Sequence, residues 1–309
     1  MTVVTWTPKK MRFDQLPRSD QIEDRRGDAP RGFPIGRAGG IGIGTLLLLT
    51  AISWALGINP LYLISGAELL SGLRGQQQQT QPASPPKSGS DQTGEFVAAV
   101  LGSTEAQWKD IFAQAGRNYQ APTLVMFSGA TRSACGFAQS AMGPFYCPND
   151  QKIYLDTTFF DDLERRFRGC DVGSKSCQFA QAYVITHEIG HHVQNLLGIL
   201  PQVQQTQLGL DKSESNQLQV RVELQADCFA GVWGHYAAER WRILEPGDVE
   251  AAMQTATAIG DDRLQRRTQG YVVPDAFTHG SSEQRARWFM TGLRSGQVAS
   301  CDTFQAEPL

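Results

Sequence analysis

The stretch Phe179-Ala180-Gln181-Ala182-Tyr183-Val184-Ile185-Thr186-His187-Glu188-Ile189-Gly190-His191 decides how this chain is read. Its apolar residues, continued by Val193, Leu196 and Leu197 and closed by Gly198 and Pro201, describe a mostly apolar helix. Two histidines four apart on a helix project from one face, with the carboxylate of Glu188 beside them. Neutral imidazoles so placed suit a zinc ion. A single Zn²⁺ lowers the pKa of its bound water from near 16 to roughly 7, and the neighbouring glutamate takes the water's proton as it attacks a carbonyl. The chemistry expected is hydrolysis of a peptide bond with Glu188 as the general base. The plain alternative is a buried helix whose histidines only form hydrogen bonds. With five histidines in 309 residues, a chance HExxH string is rare.

A catalytic zinc takes three protein ligands and keeps one open position, so a further residue must join His187 and His191. Gln194 and Leu197 stand where a metzincin needs a glycine and a third histidine, which excludes that class. Downstream, Val222-Glu223-Leu224-Gln225-Ala226-Asp227-Cys228-Phe229-Ala230-Gly231 reads as helical, with Glu223 and Asp227 four apart on one face. Glu223 is expected as the third ligand. Asp227 is expected as the acceptor behind a ligand histidine N–H, fixing its tautomer. The exchanged assignment stays open, as does an ordinary solvated acidic face.

These two segments come with Met11-Arg12, Glu23-Asp24-Arg25-Arg26-Gly27, Cys135-Gly136, Gly143-Pro144-Phe145-Tyr146-Cys147-Pro148, Tyr154-Leu155-Asp156, Phe159-Phe160 and Thr278-His279-Gly280-Ser281. Together they resemble the bacterial neutral zinc metallopeptidases, a family of membrane-anchored proteins with a gluzincin-like site. The likeness spans nearly the whole chain. It implies a single-pass anchor, one zinc and peptidase activity. A gluzincin-like site needs a donor for the oxyanion that develops opposite the metal. His279 or Arg285 is the candidate, the loop between them resembling the His-to-Arg segment of membrane-linked gluzincins. A surface histidine in a capping turn, with Ser281 and Gln284 forming the box, is the plain alternative. His192 points about 100° away from His191 and is expected to be supporting or structural, and His235 to be packing.

A hydrophobic content of 41% suffices for one sizeable domain with appendages, and a net charge of −3 without a basic patch argues against nucleic acid as a partner. From Ala38 to Ala67 there is no charged residue, and Ile41 to Ile64 is long enough to cross a ~30 Å hydrocarbon layer. The preceding tail is too long for a cleaved signal peptide. Arg18, Arg25, Arg26, Arg31 and Arg37 precede the span and only Arg74 and Lys87 follow it closely, which predicts a cytoplasmic N-terminus and an extracytoplasmic domain. There the six cysteines can pair. Cys135 with Cys147 and Cys170 with Cys177 are the short-range candidates, leaving Cys228 with Cys301, although six cysteines permit fifteen connectivities.

The expected order is therefore a disordered basic tail over 1–37, a transmembrane segment over 38–67, a Gln/Pro/Ser-rich tether over 68–94 and a zinc peptidase domain over 95–309. Within that domain the pattern predicts helices over 95–101 and 104–115, the latter with a Thr104/Gln107 capping box, and a buried strand over 123–127. A hairpin of 145–147 with 152–155 and a helix over 158–168 follow. The fold class is α+β, a helix-rich zincin-like domain with a small mixed sheet. The second hairpin strand is expected to be the edge on which an extended peptide substrate pairs above the metal. The competing reading is a tethered zinc-binding envelope adaptor without useful hydrolysis, against which the intact Glu188 argues; a metal-independent interaction domain is the third.

Overall fold

The computed structural model describes residues 13–28, 91–139, 143–165, 175–245, 247–269 and 271–309. Residues 13–28 and the described chain from 91 onward make one compact unit, and residues 29–90 lie outside the described residues. The expected span over 38–67 and most of the tether over 68–94 fall there. Among the described residues no helix is long and apolar enough to cross a membrane.

The sheet has the order β1-β2-β6-β5, built from β1 (Ile22–Asp24), β2 (Thr123–Phe127), β5 (Phe145–Cys147) and β6 (Lys152–Asp156). β1 and β6 flank β2 in parallel, while β5 runs antiparallel to β6, so the sheet is mixed as expected. A separate hairpin joins β3 (Ala130–Ser133) to β4 (Gly136–Gln139). The run Leu124-Val125-Met126-Phe127 is buried throughout, which suits a strand paired on both sides and covered on both faces. β6 is likewise interior, because β2 occupies its other side. The edge of the hairpin is thus its first strand, β5, rather than the second.

The first helix, α1 (Gln92–Gln114), is continuous where two were expected. Its N-cap is Asp91, whose side chain accepts the Gly94 N–H. The hydroxyls of Ser103 and Thr104 donate to the carbonyls of Val100 and Leu101, so they bond within the helix instead of capping a new one. α2 (Phe159–Arg165) leads to α3 (Lys175–Leu196), the helix of the HExxH motif, and then to α4 (Ile199–Gln207) and the long α5 (Lys212–Glu239). α6 (Asp248–Ala258), α7 (Asp261–Gln269) and α8 (Ser282–Ser295) complete the domain. The Ser281/Gln284 capping box foreseen for α8 is present. α5 and α8 cross at Gly231 and Gly292, where an added Cβ would come within 2.0 Å of Phe289 O or 1.9 Å of Cys228 O. Only glycine permits that approach. Cys135–Cys147 and Cys228–Cys301 are disulfides as expected; Cys177 is also disulfide-bonded, and Cys170 lies outside the described residues.

Residues 13–28 pack onto the domain, where a disordered tail over 1–37 is expected; the rest of that tail lies outside the described residues. Phe13 stacks edge-on against Phe96 at 4.9 Å and Leu16 is buried. The Leu124 N–H donates to Gln21 O, the Arg25 N–H to Met126 O, and Lys152 pairs with Glu23 at 2.9 Å. Low apolar content misled here: three residues, Phe13, Leu16 and Ile22, suffice when the surface that receives them is already built. The pairing also bears on topology. Hydrogen-bonded strands occupy one compartment, so a cytoplasmic 13–28 with an extracytoplasmic 95–309, separated by one crossing, is incompatible with this sheet. Deleting residues 13–28 is expected to lower the urea midpoint of unfolding, since burying a Phe and a Leu is worth about 1.5–3 kcal/mol each. An unchanged midpoint would show that the segment contributes nothing.

Candidate metal centre

α3 presents His187, Glu188 and His191, and α5 presents Glu223 and Asp227. The two helices touch at Gly190, where a Cβ would meet the Ala226 backbone at 3.0 Å. This glycine inside the motif lets α5 come close enough to deliver its carboxylates. Glu223 Oε2 lies 3.2 Å from His187 Nε2 and 3.5 Å from His191 Nε2. Ligand atoms of these three residues all fall within 4.8 Å of one another, and Glu223 and His187 are buried.

The outer atoms of each ligand have partners that aim the inner ones. His187 Nδ1 donates to Asp227 Oδ1 at 2.8 Å, and His191 Nδ1 to Gln194 Oε1 at 2.9 Å. The Gln194 amide is itself oriented, because its Nε2 donates to Val222 O and Gln225 Oε1. Glu223 Oε1 accepts from Gln219 Nε2 at 2.9 Å, leaving Oε2 to face the histidines. Two imidazole nitrogens and one carboxylate oxygen converging in a protected pocket are a donor set that fits zinc, with room for a fourth ligand. Of the two carboxylates, geometry gives Glu223 the inner place and Asp227 the place behind His187.

The electrostatics agree. Burial disfavours charge on His187, but Asp227 and Glu223 outweigh it and lift its pKa to about 10; Glu223 raises His191 in the same way. Burial would raise Glu223 too, yet His191 and His187 hold it well below the usual carboxylate range. Without a cation the His187 imidazole therefore holds a proton that a metal must displace, so zinc binding should release a proton. Glu188 goes the other way: burial raises its pKa against the pull of the two histidines, and the Tyr146 backbone N–H donates to it. A carboxylate raised by burial takes up a proton more readily, which suits a general base.

Arg285 is committed elsewhere than expected. It grips Asp227 with Nε to Oδ2 at 2.8 Å and Nη2 to Oδ1 at 2.9 Å, and is buried. The Tyr183 hydroxyl donates to Asp227 Oδ1 at 2.6 Å. Burial pushes Asp227 up, but Arg285 and His187 bring it down to about 2. His279 borders the same cavity, of about 620 Å³, as the three ligands. Asp261 organises its loop: Oδ2 accepts the N–H groups of Thr278, His279 and Gly280, and Oδ1 lies 3.3 Å from His279 Nδ1. That hydrogen bond is the main cause of a raised His279 pKa, which keeps the ring a donor. His235 Nδ1 donates to Leu293 O at 2.9 Å, a packing role.

Asp261, Gln194, Gln219 and Tyr183 were missed in the sequence. Gln194 and Gln219 carried a signal, each lying three or four residues from a ligand on its own helix. Asp261 carried none, being one of two aspartates opening a helix.

The sequence profile of a family described as "Putative neutral zinc metallopeptidase" matches residues 11–304. The chain belongs to this family. It is 45% identical over 302 residues to the uncharacterized protein YpfJ of Escherichia coli strain K12, covering 95% of this chain and 99% of that one. It is 43% identical over 222 residues to the uncharacterized protein Mb2605 of Mycobacterium bovis, covering 69% and 71%. No solved structure matches. The family's description agrees with the donor set found here.

Proposed function

We propose that the protein is a zinc-dependent endopeptidase, on the strength of one juxtaposition: Glu188 stands beside the point where His187, His191 and Glu223 converge. Bound there, zinc would supply Lewis acidity, polarising a scissile carbonyl and acidifying water. Glu188 takes the proton of the attacking water on its carboxylate and passes it to the leaving nitrogen. His279, held by Asp261, donates to the developing oxyanion. The cavity is bordered by the chain leading into β5, so an extended peptide can pair with this edge strand beside Glu188. The two disulfides support an oxidising compartment outside the cytoplasm for the domain.

Incubation of the zinc-loaded protein with an unbiased peptide pool is expected to yield cleavage products that vanish with a chelator and return with added zinc. Retained zinc with an uncut pool would favour the adaptor reading.

A further inference from the structure

α3 carries two parallel stripes of polar residues. His187, His191 and Gln194 face the metal ligands of α5, and each has a place in that site. Glu188, His192 and Asn195 repeat the same spacing of four and three residues one position on, so they share an adjacent face of the helix. That face meets β5. The Asn195 amide donates to the Tyr146 hydroxyl at 3.1 Å, and His192 Nδ1 lies 3.1 Å from the same oxygen. His192 Nε2 lies 2.7 Å from Gln120 O.

The proton positions follow. A carbonyl only accepts, so Nε2 of His192 carries the hydrogen and Nδ1 of the neutral ring is an acceptor. The Tyr146 hydroxyl therefore donates to His192 and accepts from Asn195. His192 is buried and its ring lies edge-on between Tyr146 at 5.4 Å and Tyr119 at 5.9 Å. At the other end of Tyr146, its backbone N–H reaches Glu188. Among the described residues β5 has three residues and one strand neighbour, β6, so ladder bonds alone hold its register weakly.

We propose that His192, Asn195 and the Tyr146 side chain form a clamp that sets the height of β5 over the metal centre, and with it the height at which an extended peptide lies on that edge. His192 and Asn195 are positioning residues acting through Tyr146. The clamp stands on geometry alone; its effect on substrate rests on the peptidase reading.

The test compares the full zinc-loaded chain with Tyr146→Phe, which keeps the ring and removes the hydroxyl, and with Asn195→Ala, which leaves Tyr146 and His192 intact. Amide hydrogen exchange at residues 145–147 is expected to quicken about tenfold in Tyr146→Phe, the loss of two hydrogen bonds being of that order, and less in Asn195→Ala. Zinc stoichiometry should not change. For a cleaved peptide, KM should rise by about tenfold with kcat within about threefold, the signature of lost ground-state binding. Exchange at β5 within twofold of wild type in both variants would overturn the clamp, as would zinc loss with β5 unaffected. A wild-type protein that cleaves nothing would refute the peptidase reading while the exchange measurement still decides the clamp.

Discussion

Glu188→Gln is expected to reduce peptide hydrolysis by about 10³-fold while zinc stays bound at one ion per chain, because removing a general base typically costs 10²–10⁴-fold. The two readouts separate cleanly. The zinc-binding trio is completed by His187, His191 and Glu223, and Glu188 contributes no atom to it. Its carboxylate is buried, faces two histidines and accepts the Tyr146 N–H, so the amide replacement keeps size and most contacts. What it loses is the ability to take a proton. Turnover at the wild-type rate in the zinc-loaded variant would eliminate the mechanism.

Asp227→Ala is expected to lose about 3–5 kcal/mol of folding stability and about 10–100-fold in zinc affinity. Asp227 is wholly buried, and four groups depend on it or on each other through it: His187 Nδ1, the Tyr183 hydroxyl and two nitrogens of Arg285. Its removal strands the guanidinium of Arg285 without a counterion. Adding Arg285→Met should restore much of the stability but none of the zinc affinity, since the acceptor behind His187 is still missing. Urea unfolding and competition with a zinc chelator read the two effects. An unchanged midpoint in the single variant would refute the account. The same carboxylate shapes acid sensitivity. Its pKa is lowered to about 2 in the folded protein against roughly 3.9 unfolded, so its stabilisation is complete above about pH 4 and is lost as pH falls through about 2. Between pH 5 and 2 the wild type should lose more stability than Asp227→Ala.

Much of the site is visible in spacing because helices turn sequence intervals into faces. His187 with His191, and Glu223 with Asp227, declare their partnership by being four apart, and the apolar run around each pair marks a helix deep enough to shelter a metal. The capping box of α8 and the interior strand β2 were legible for the same reason: local rules act over a few residues. What stayed hidden depends on distant contacts. Ile22-Glu23-Asp24 has no alternation and too few apolar residues to announce a strand, and its partner comes some hundred residues later. Asp261 matters only because the Thr278–Gly280 loop folds onto it. The edge of the sheet was assigned to β6, since nothing in the hairpin reveals that β2 lies beside its second strand. Thr104 and Gln107 suggest a capping box and a second helix start, but α1 runs on through them, and Gly102 within it admits the close approach of Pro17.

The placement of β1 sets an order of assembly. Residues 13–28 leave the ribosome well before β2 exists, and they must wait for about a hundred further residues before their neighbour is made. Contacts so far apart in the chain form slowly. Until β1 docks, that side of β2 is an open row of amides and carbonyls, and a half-built sheet is prone to pair with other chains. A segment made early thus seals a flank of the sheet that a segment made about a hundred residues later presents.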